Sequence, residues 1–432
     1  MRPTGMIRPT ALALSLLFLG AGAAAAFASA PVQATGDEHL NYMPSLLQRE
    51  DGSFLIVYER LDQNFASGDL MAVESADGVG WSAPRVVVAG AANERHPSLV
   101  RKGDGTFLVY YLSDATGSYD IRFADSPDGV VWTERGPVDL GWSGEDLVNP
   151  TVSLEPDGSL VMSYDRLSAG GYVAHSADGA VWDKDKTSVS DGSLNRIMRH
   201  ADGTYVLSYQ RRTGWPWEPT KIDVFTKTSP DRITWSAENR VTTNQNDHDS
   251  FPVELAEGEY GLYYAESSGG APYDLMRRTS PDGVNWGPAE PLHPYAGWDT
   301  QPHPVRLLSG GVGLAWARGP EQDDTEVWFA LFDPPTSVAS PSPVRPPARL
   351  LAGPNPFRNG LELRLEGSVS RARSAAIYDP AGRLIRDWNP APPCPILWDG
   401  TDRAGRSVAD GVYLIRVETE EMVLTGRVIR IR

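Results

Sequence analysis

The chain predicts an all-β protein, a six-bladed β-propeller followed by a small β-sandwich, and three observations carry that expectation. First, the phrase Ser-x-Asp-(Gly/Arg)-x-x-Trp occurs five times. Its tryptophans, Trp81, Trp132, Trp182, Trp235 and Trp286, stand 51, 50, 53 and 51 residues apart. A fixed period of about 40–50 residues with strand-like content marks propeller blades. Second, a tight-turn signal between two apolar runs precedes each phrase, as in Asp51-Gly52 before Phe54-Leu55-Ile56-Val57-Tyr58. Glycine takes the positive φ of such turns cheaply. Third, a proline-rich stretch ends the repeats and a new strand pattern follows it.

Residues 1–34 read as a secretory signal. Arg2 and Arg8 precede the apolar run Ala11 to Ala26, with Ala26-Phe27-Ala28 or Val32-Gln33-Ala34 as the small-residue cleavage site. No later stretch approaches the roughly 20 apolar residues of a membrane helix, so a secreted or bacterial cell-surface protein with no membrane span after cleavage is expected. Cys394 is the only cysteine. An internal disulfide is therefore impossible, and the packed core must supply the stability.

Residues 35–333 hold the repeats. Pro44-Ser45-Leu46, Pro97-Ser98-Leu99 and Pro150-Thr151-Val152 open the first three, Arg196-Ile197-Met198 the fourth, and Pro252-Val253 and Pro304-Val305 the last two. Six repeats of four strands make a ring with short, protected edges. The sixth lacks the Ser-x-Asp phrase and one strand, which residues about 30–37 are expected to supply. Residues 334–348 form a semi-rigid proline-rich linker. In 349–432, Leu361–Leu365, Ala375–Tyr378 and Gly411–Val417 alternate apolar and polar residues between Gly and Asp-Pro turns, the pattern of a β-sandwich.

Charge divides along the chain. Residues 35–334 carry 23 Lys+Arg against 46 Asp+Glu, a balance of −23, and residues 349–432 carry 13 against 10, a balance of +3. An acidic body argues against nucleic acid or an anionic membrane as the partner, because neutralising phosphates needs clustered cations. It is compatible with a neutral glycan, a cation, or an anionic ligand met by a local arginine cluster.

The repeated phrase resembles the Asp-box (BNR) repeat of the sialidase superfamily over roughly residues 38–333. It departs from the usual box by lacking one residue between Asp and Gly. The resemblance implies a structural role for Asp77, Asp128, Asp178, Asp231 and Asp282, bracing the turn between third and fourth strands while the tryptophan packs between strands. The tail is similar to the FlgD-like and type IX secretion sorting immunoglobulin-like domains of exported bacterial proteins. The matching residues include Asn355-Pro356-Phe357, Trp398-Asp399-Gly400 and Asp410-Gly411-Val412-Tyr413. That match implies surface display or contact with secretion machinery.

In a propeller, ligands enter at the face where innermost strands begin. That face receives Glu94, Arg95 and His96, Asp146, Asp247-His248-Asp249, Asp299 and His303. A repeat-equivalent column at the ends of second strands reads Arg60, Ser113, Arg166, Arg211, Glu266 and Arg318. Arginine's planar fork binds carboxylates bidentately, and sialidases hold their substrate's carboxylate with three arginines. Arg95 with members of the column is thus a candidate clamp. Glu94, Asp146, Asp247 and Asp299 are candidate general acids, and Glu266 a candidate to activate Tyr264 or Tyr273. The competing reading pairs each column arginine with an acid of the next innermost strand. Trp215 and Trp217 suit stacking on sugar rings. No metal or cofactor is expected. Two functions follow as alternatives: a sialidase-like glycoside hydrolase acting on a terminal acidic sugar, or a non-catalytic surface propeller binding glycan or protein.

Overall fold

Each turn predicted at an apolar boundary folds its repeat into one antiparallel four-stranded sheet. The computed structural model describes residues 29–332 and 349–431, apart from 38, 63–66, 214–220, 244–245, 257, 268–271, 293–294, 359, 367–371, 393–394 and 420–422. Most of the signal segment, the linker, Trp215, Trp217 and Cys394 lie outside these residues. The chain divides into two compact units, Met1–Thr336 and Ser337–Arg432.

In the first unit six sheets follow one another along the chain. Their first strands are Leu40–Gln48, Arg95–Arg101, Leu147–Leu154, Ser193–Arg199, Asp247–Ala256 and Trp298–Arg306. Each packs on the first strand of the following sheet, and the sixth packs on the first. The ring closes where the expectation placed it: Val32–Gln33 pairs antiparallel with Asp324–Phe332, Val32 opposite Phe329 and Gln33 opposite Trp328. Apolar clusters fill the wedges between sheets. Phe54, Ile56, Tyr58, Val327 and Phe329, for example, join the first sheet to the sixth, and Tyr110, Leu160, Met162 and Trp182 join the second to the third.

The Asp boxes form the turns from third to fourth strands. Asp77 Oδ1 accepts the amides of Val79 (2.8 Å) and Gly80 (3.0 Å), while Ser75 Oγ accepts that of Gly78 (2.8 Å). Boxes two to four repeat this bond for bond, and Asp282 makes the same pair of amide bonds in the fifth. Amide donation holds all five carboxylates below the ordinary range, Asp231 and Asp282 at about 2.

One irregularity recurs six times. Every first strand carries a bulge with one non-glycine residue at positive φ: Met43 (43°), His96 (51°), Asn149 (56°), Leu194 (51°), Asp249 (57°) and Gln301 (56°). The bulge also corrects the repeat alignment. The equivalents of Pro44, Pro97 and Pro150 are Ser250 and Pro302, so Pro252 and Pro304 lie two residues further along.

The second unit packs a three-stranded sheet (Arg349–Gly353, Leu361–Glu366, Ile396–Trp398) on a four-stranded one (Leu384–Trp388, Ala372–Tyr378, Gly411–Thr419, Val423–Arg430). Phe357, Trp398, Ile377 and Tyr413 are in its core.

Candidate functional site

The bulges decide what faces the axis. A residue at positive φ turns its amide out of the ladder, and a buried amide needs an acceptor. Here the neighbouring sheet supplies it. Glu59 accepts from His96 N (2.9 Å), Asp165 from Leu194 N (2.7 Å), Gln210 from Asp249 N (2.8 Å) and Gln301 from Met43 N (2.8 Å). Asp165 also accepts from the side-chain amides of Asn149 and Asn195, both at 2.6 Å. Glu59, Asp165 and Gln210 occupy one repeat-equivalent position, immediately before the arginine column.

Just past the bulges a closed belt of side chains rings the axis. Ser45 Oγ accepts the Leu99 amide and Ser98 Oγ the Val152 amide, each at 2.9 Å. Arg196 donates to Thr151 Oγ1 (2.9 Å) and lies over the Phe251 ring, 5.7 Å from its centroid. Phe251 packs on His303 (4.4 Å), whose Nδ1 accepts the Leu46 amide (3.2 Å) and so completes the circuit. Burial and the nearby Arg196 charge push His303 down to about 3, so it is neutral in the belt.

The column arginines are engaged sideways. Arg60 meets Asp69 (3.3 Å), Arg166 forks onto Glu145 (2.8 and 2.9 Å), and Arg211 contacts Asp191 and Glu238. Arg318 forks onto fully buried Asp299 (2.6 and 2.7 Å), which also accepts from Trp316 Nε1. Asp69 and Asp299 lie on strands of the arginine's own sheet, whereas Glu145, Asp191 and Glu238 lie in connections, and none of the five belongs to the next innermost strand. Arg95 meets buried Glu59 (3.3 Å). Among the described residues the expected three-arginine clamp is therefore not assembled.

The candidate acids separate in the same way. Asp146 caps the Tyr119 amide (2.8 Å). Glu94 is buried against Ser113 (3.2 Å), and that burial raises its pKa. Asp247 is fully buried opposite Glu266 in the ladder. Burial, with Glu266 and Asp223 nearby, pushes it up to about 6, with Thr242 and Arg278 offsetting part of the rise. Tyr264 is sealed in the core with Arg278 on its hydroxyl (3.2 Å). Among the described residues no group of three or more His, Cys, Asp or Glu side chains could hold a metal ion.

What the structure does open at this face is a cleft of about 320 Å³, lined by Tyr42, Tyr273, Trp298, His248, Asp249, Thr300, Gln210, Gln301 and Gln322 among others. Tyr273 and Trp298 pack at 5.0 Å, and the His248 ring stands edge-on to Tyr273 at 4.2 Å. Asp249 is its hub, with His248 Nδ1 at 2.9 Å and Thr300 Oγ1 at 2.7 Å on the same carboxylate oxygen. Burial opposes the Asp249 charge, yet His248 and Thr300 hold it at about 2. Burial likewise opposes charge on His248, and Asp249 outweighs it and raises the imidazole. Sequence reasoning singled out His248, Asp249 and Tyr273 but passed over Tyr42, Trp298 and Gln210. The available signal was position: all but Gln210 and Tyr273 fall at starts of first strands. A larger hollow, about 980 Å³, lies in the second unit against Leu351, Leu397 and Trp398. Its charges include Glu362 and Arg364, paired with each other at 2.7 Å, so no convergent chemistry distinguishes it.

Known proteins agree with the fold. No protein-family model matches the chain, and no curated protein matches it. Solved structures do. A protein of unknown function from Dyadobacter fermentans is similar with a TM-score of 0.57 at 16% identity, covering 70% of this chain and 97% of that one. The NanB sialidase of Streptococcus pneumoniae gives 0.54 at 12%, covering 71% of each. The α-L-arabinanase of Penicillium chrysogenum, complexed with arabinobiose, gives 0.52 at 16%, covering 71% and 98%. The chain thus shares the propeller fold of sialidases and arabinanases.

Proposed function

We propose that the first unit is a six-bladed, glycan-recognising propeller whose saccharide site is the cleft between Tyr42, Tyr273 and Trp298. The observation that carries the reading is the lining itself. The partly exposed Tyr273 and Trp298 offer aromatic surface that can stack on a sugar ring, and glutamine side chains make directional bonds to hydroxyls. The neighbours named above include proteins that act on or bind sugars, which supports a glycan as the ligand. With the column arginines each paired to an acid and none of them lining the cleft, the cleft suits an uncharged sugar better than a sialic acid. We propose further that the chain is exported, that cleavage follows Ala28, and that residues 349–432 are an immunoglobulin-like display or sorting module. Cleavage after Ala34 would remove Val32–Gln33, the strand that completes the sixth sheet.

The test is a glycan array probed with residues 29–432, repeated with Trp298→Ala and Tyr273→Ala. Binding to a defined set of oligosaccharides, weakened at least about 10-fold by either change, is the expected result. Binding unaffected by both variants, or no binding to any glycan, contradicts the reading.

A further inference from the structure

We infer that the cleft is also an acyl-ester hydrolase site, in which His248 activates water against an ester carried on the bound saccharide. The inference rests on the saccharide reading of the same cleft and adds a reaction to it.

Its first support is the dyad. Positive φ at Asp249 folds two consecutive side chains together, so His248 Nδ1 faces the Asp249 carboxylate at 2.9 Å. Asp249 is itself fixed from two neighbouring sheets, by Gln210 on its amide and by Thr300 on its carboxylate. With the Nδ1 proton committed to Asp249, the lone pair of neutral His248 is on Nε2, the geometry of an oriented general base. The second support is a pair of oxyanion donors. The side-chain oxygens of Gln210 and Gln301 are spent on the Asp249 and Met43 amides, and both residues line the cleft, so their NH2 groups, unpartnered among the described residues, are the donors they can offer there. Neutral donors set around one point stabilise a developing oxyanion.

The third support weighs against the two-carboxylate alternative. That route of glycosidic hydrolysis places two carboxyl groups flanking the bond. Asp249 is the one carboxylate among the described lining residues, and it is committed to His248 and Thr300. Acyl hydrolysis needs one base and the donors.

The step balances. Water attacks the acyl carbonyl carbon as His248 Nε2 takes its proton, and the carbonyl electron pair moves onto oxygen, held by the two NH2 groups. On collapse the bond from that carbon to the sugar oxygen breaks, and the sugar oxygen takes the proton from Nε2. A carboxylic acid and a free sugar hydroxyl leave, and the acid ionises in water.

The full chain is incubated with acetylated xylo- and manno-oligosaccharides while acetate release and saccharide binding are measured in parallel. Acetate release that rises with pH as His248 loses its proton is expected. The charged and titratable groups facing that ring are Asp247, Asp249 and Tyr273, with Arg196 acting through Asp249. Asp249→Asn lowers the midpoint of the profile, because the counter-charge goes. Gln210→Glu and Gln301→Glu each keep an oxygen for the backbone amide but delete the donor, and cost about 10²-fold in kcat with KM little changed. His248→Gln abolishes release while the thermal midpoint stays at the native value, which shows the variant is folded. Binding without acetate release by the native chain, or release that survives His248→Gln, overturns the esterase and leaves the saccharide reading standing. Absence of any binding overturns both.

Discussion

Arg232 shows how strictly the Asp-box turn sets a backbone angle. It stands where the other four boxes have glycine, at φ 70°. A Cβ in that region costs roughly 1 kcal/mol, and the contact of its guanidinium with the Tyr205 ring (5.9 Å) returns only part of it. Arg232→Gly should therefore raise the unfolding free energy by about 0.5 kcal/mol in urea titrations; a loss would place the contact above the strain. Asp247 makes a pH-dependent prediction. Its carboxyl is raised from 3.8 to about 6 in the folded chain, so its contribution to stability is complete below about pH 4 and lost as pH rises through 6. Two units correspond to about 3 kcal/mol at the most. Asp247→Asn should then stabilise the protein at pH 8 and change little at pH 4, as read from denaturation midpoints at the two values. Equal effects at both would mean that the carboxyl is not raised.

At the scale of the element, the recurring device is the bulged first strand held by the sheet before it. Asp165 serves four donors at once: Leu194 N, Asn195 N and the side-chain amides of Asn149 and Asn195. Asp165→Ala leaves those donors buried without an acceptor, and about 3–5 kcal/mol of lost stability is expected by urea denaturation. A cost under 1 kcal/mol would mean that water replaces the carboxylate. This device was hidden in the sequence because it has no local signature. Met43, His96, Asn149, Leu194, Asp249 and Gln301 share no residue type, and four of the six stand before proline, which reads as extended chain. The Asp boxes were legible for the opposite reason: Asp, Ser and the turn amides all fall within a few residues. The arginine column was also legible as a column. Its partners were not, because Glu145, Asp191 and Glu238 lie in connections whose paths only the fold defines.

For the whole molecule, ring closure joins distant ends of the chain. Val32–Gln33, together with Ala34 N on Val327 O (2.8 Å), ties the start of the repeats to their last strand. A chain beginning at Thr35 should lose about 2–4 kcal/mol relative to one beginning at Ser29, measured as a drop in thermal midpoint; equal midpoints would show that the sixth sheet stands with three strands. Period and turn chemistry made this architecture readable. The cleft was less so, because its lining comes from the first and the fourth to sixth sheets and meets only after the ring is built. Hydrogen exchange read by mass spectrometry on the full chain, with and without a bound oligosaccharide, tests that convergence most directly. Slowed exchange in the peptides containing 42–43, 248–249, 273 and 298–301 together is the predicted footprint. Protection confined to the Asp-box turns or to residues 349–431 would contradict it.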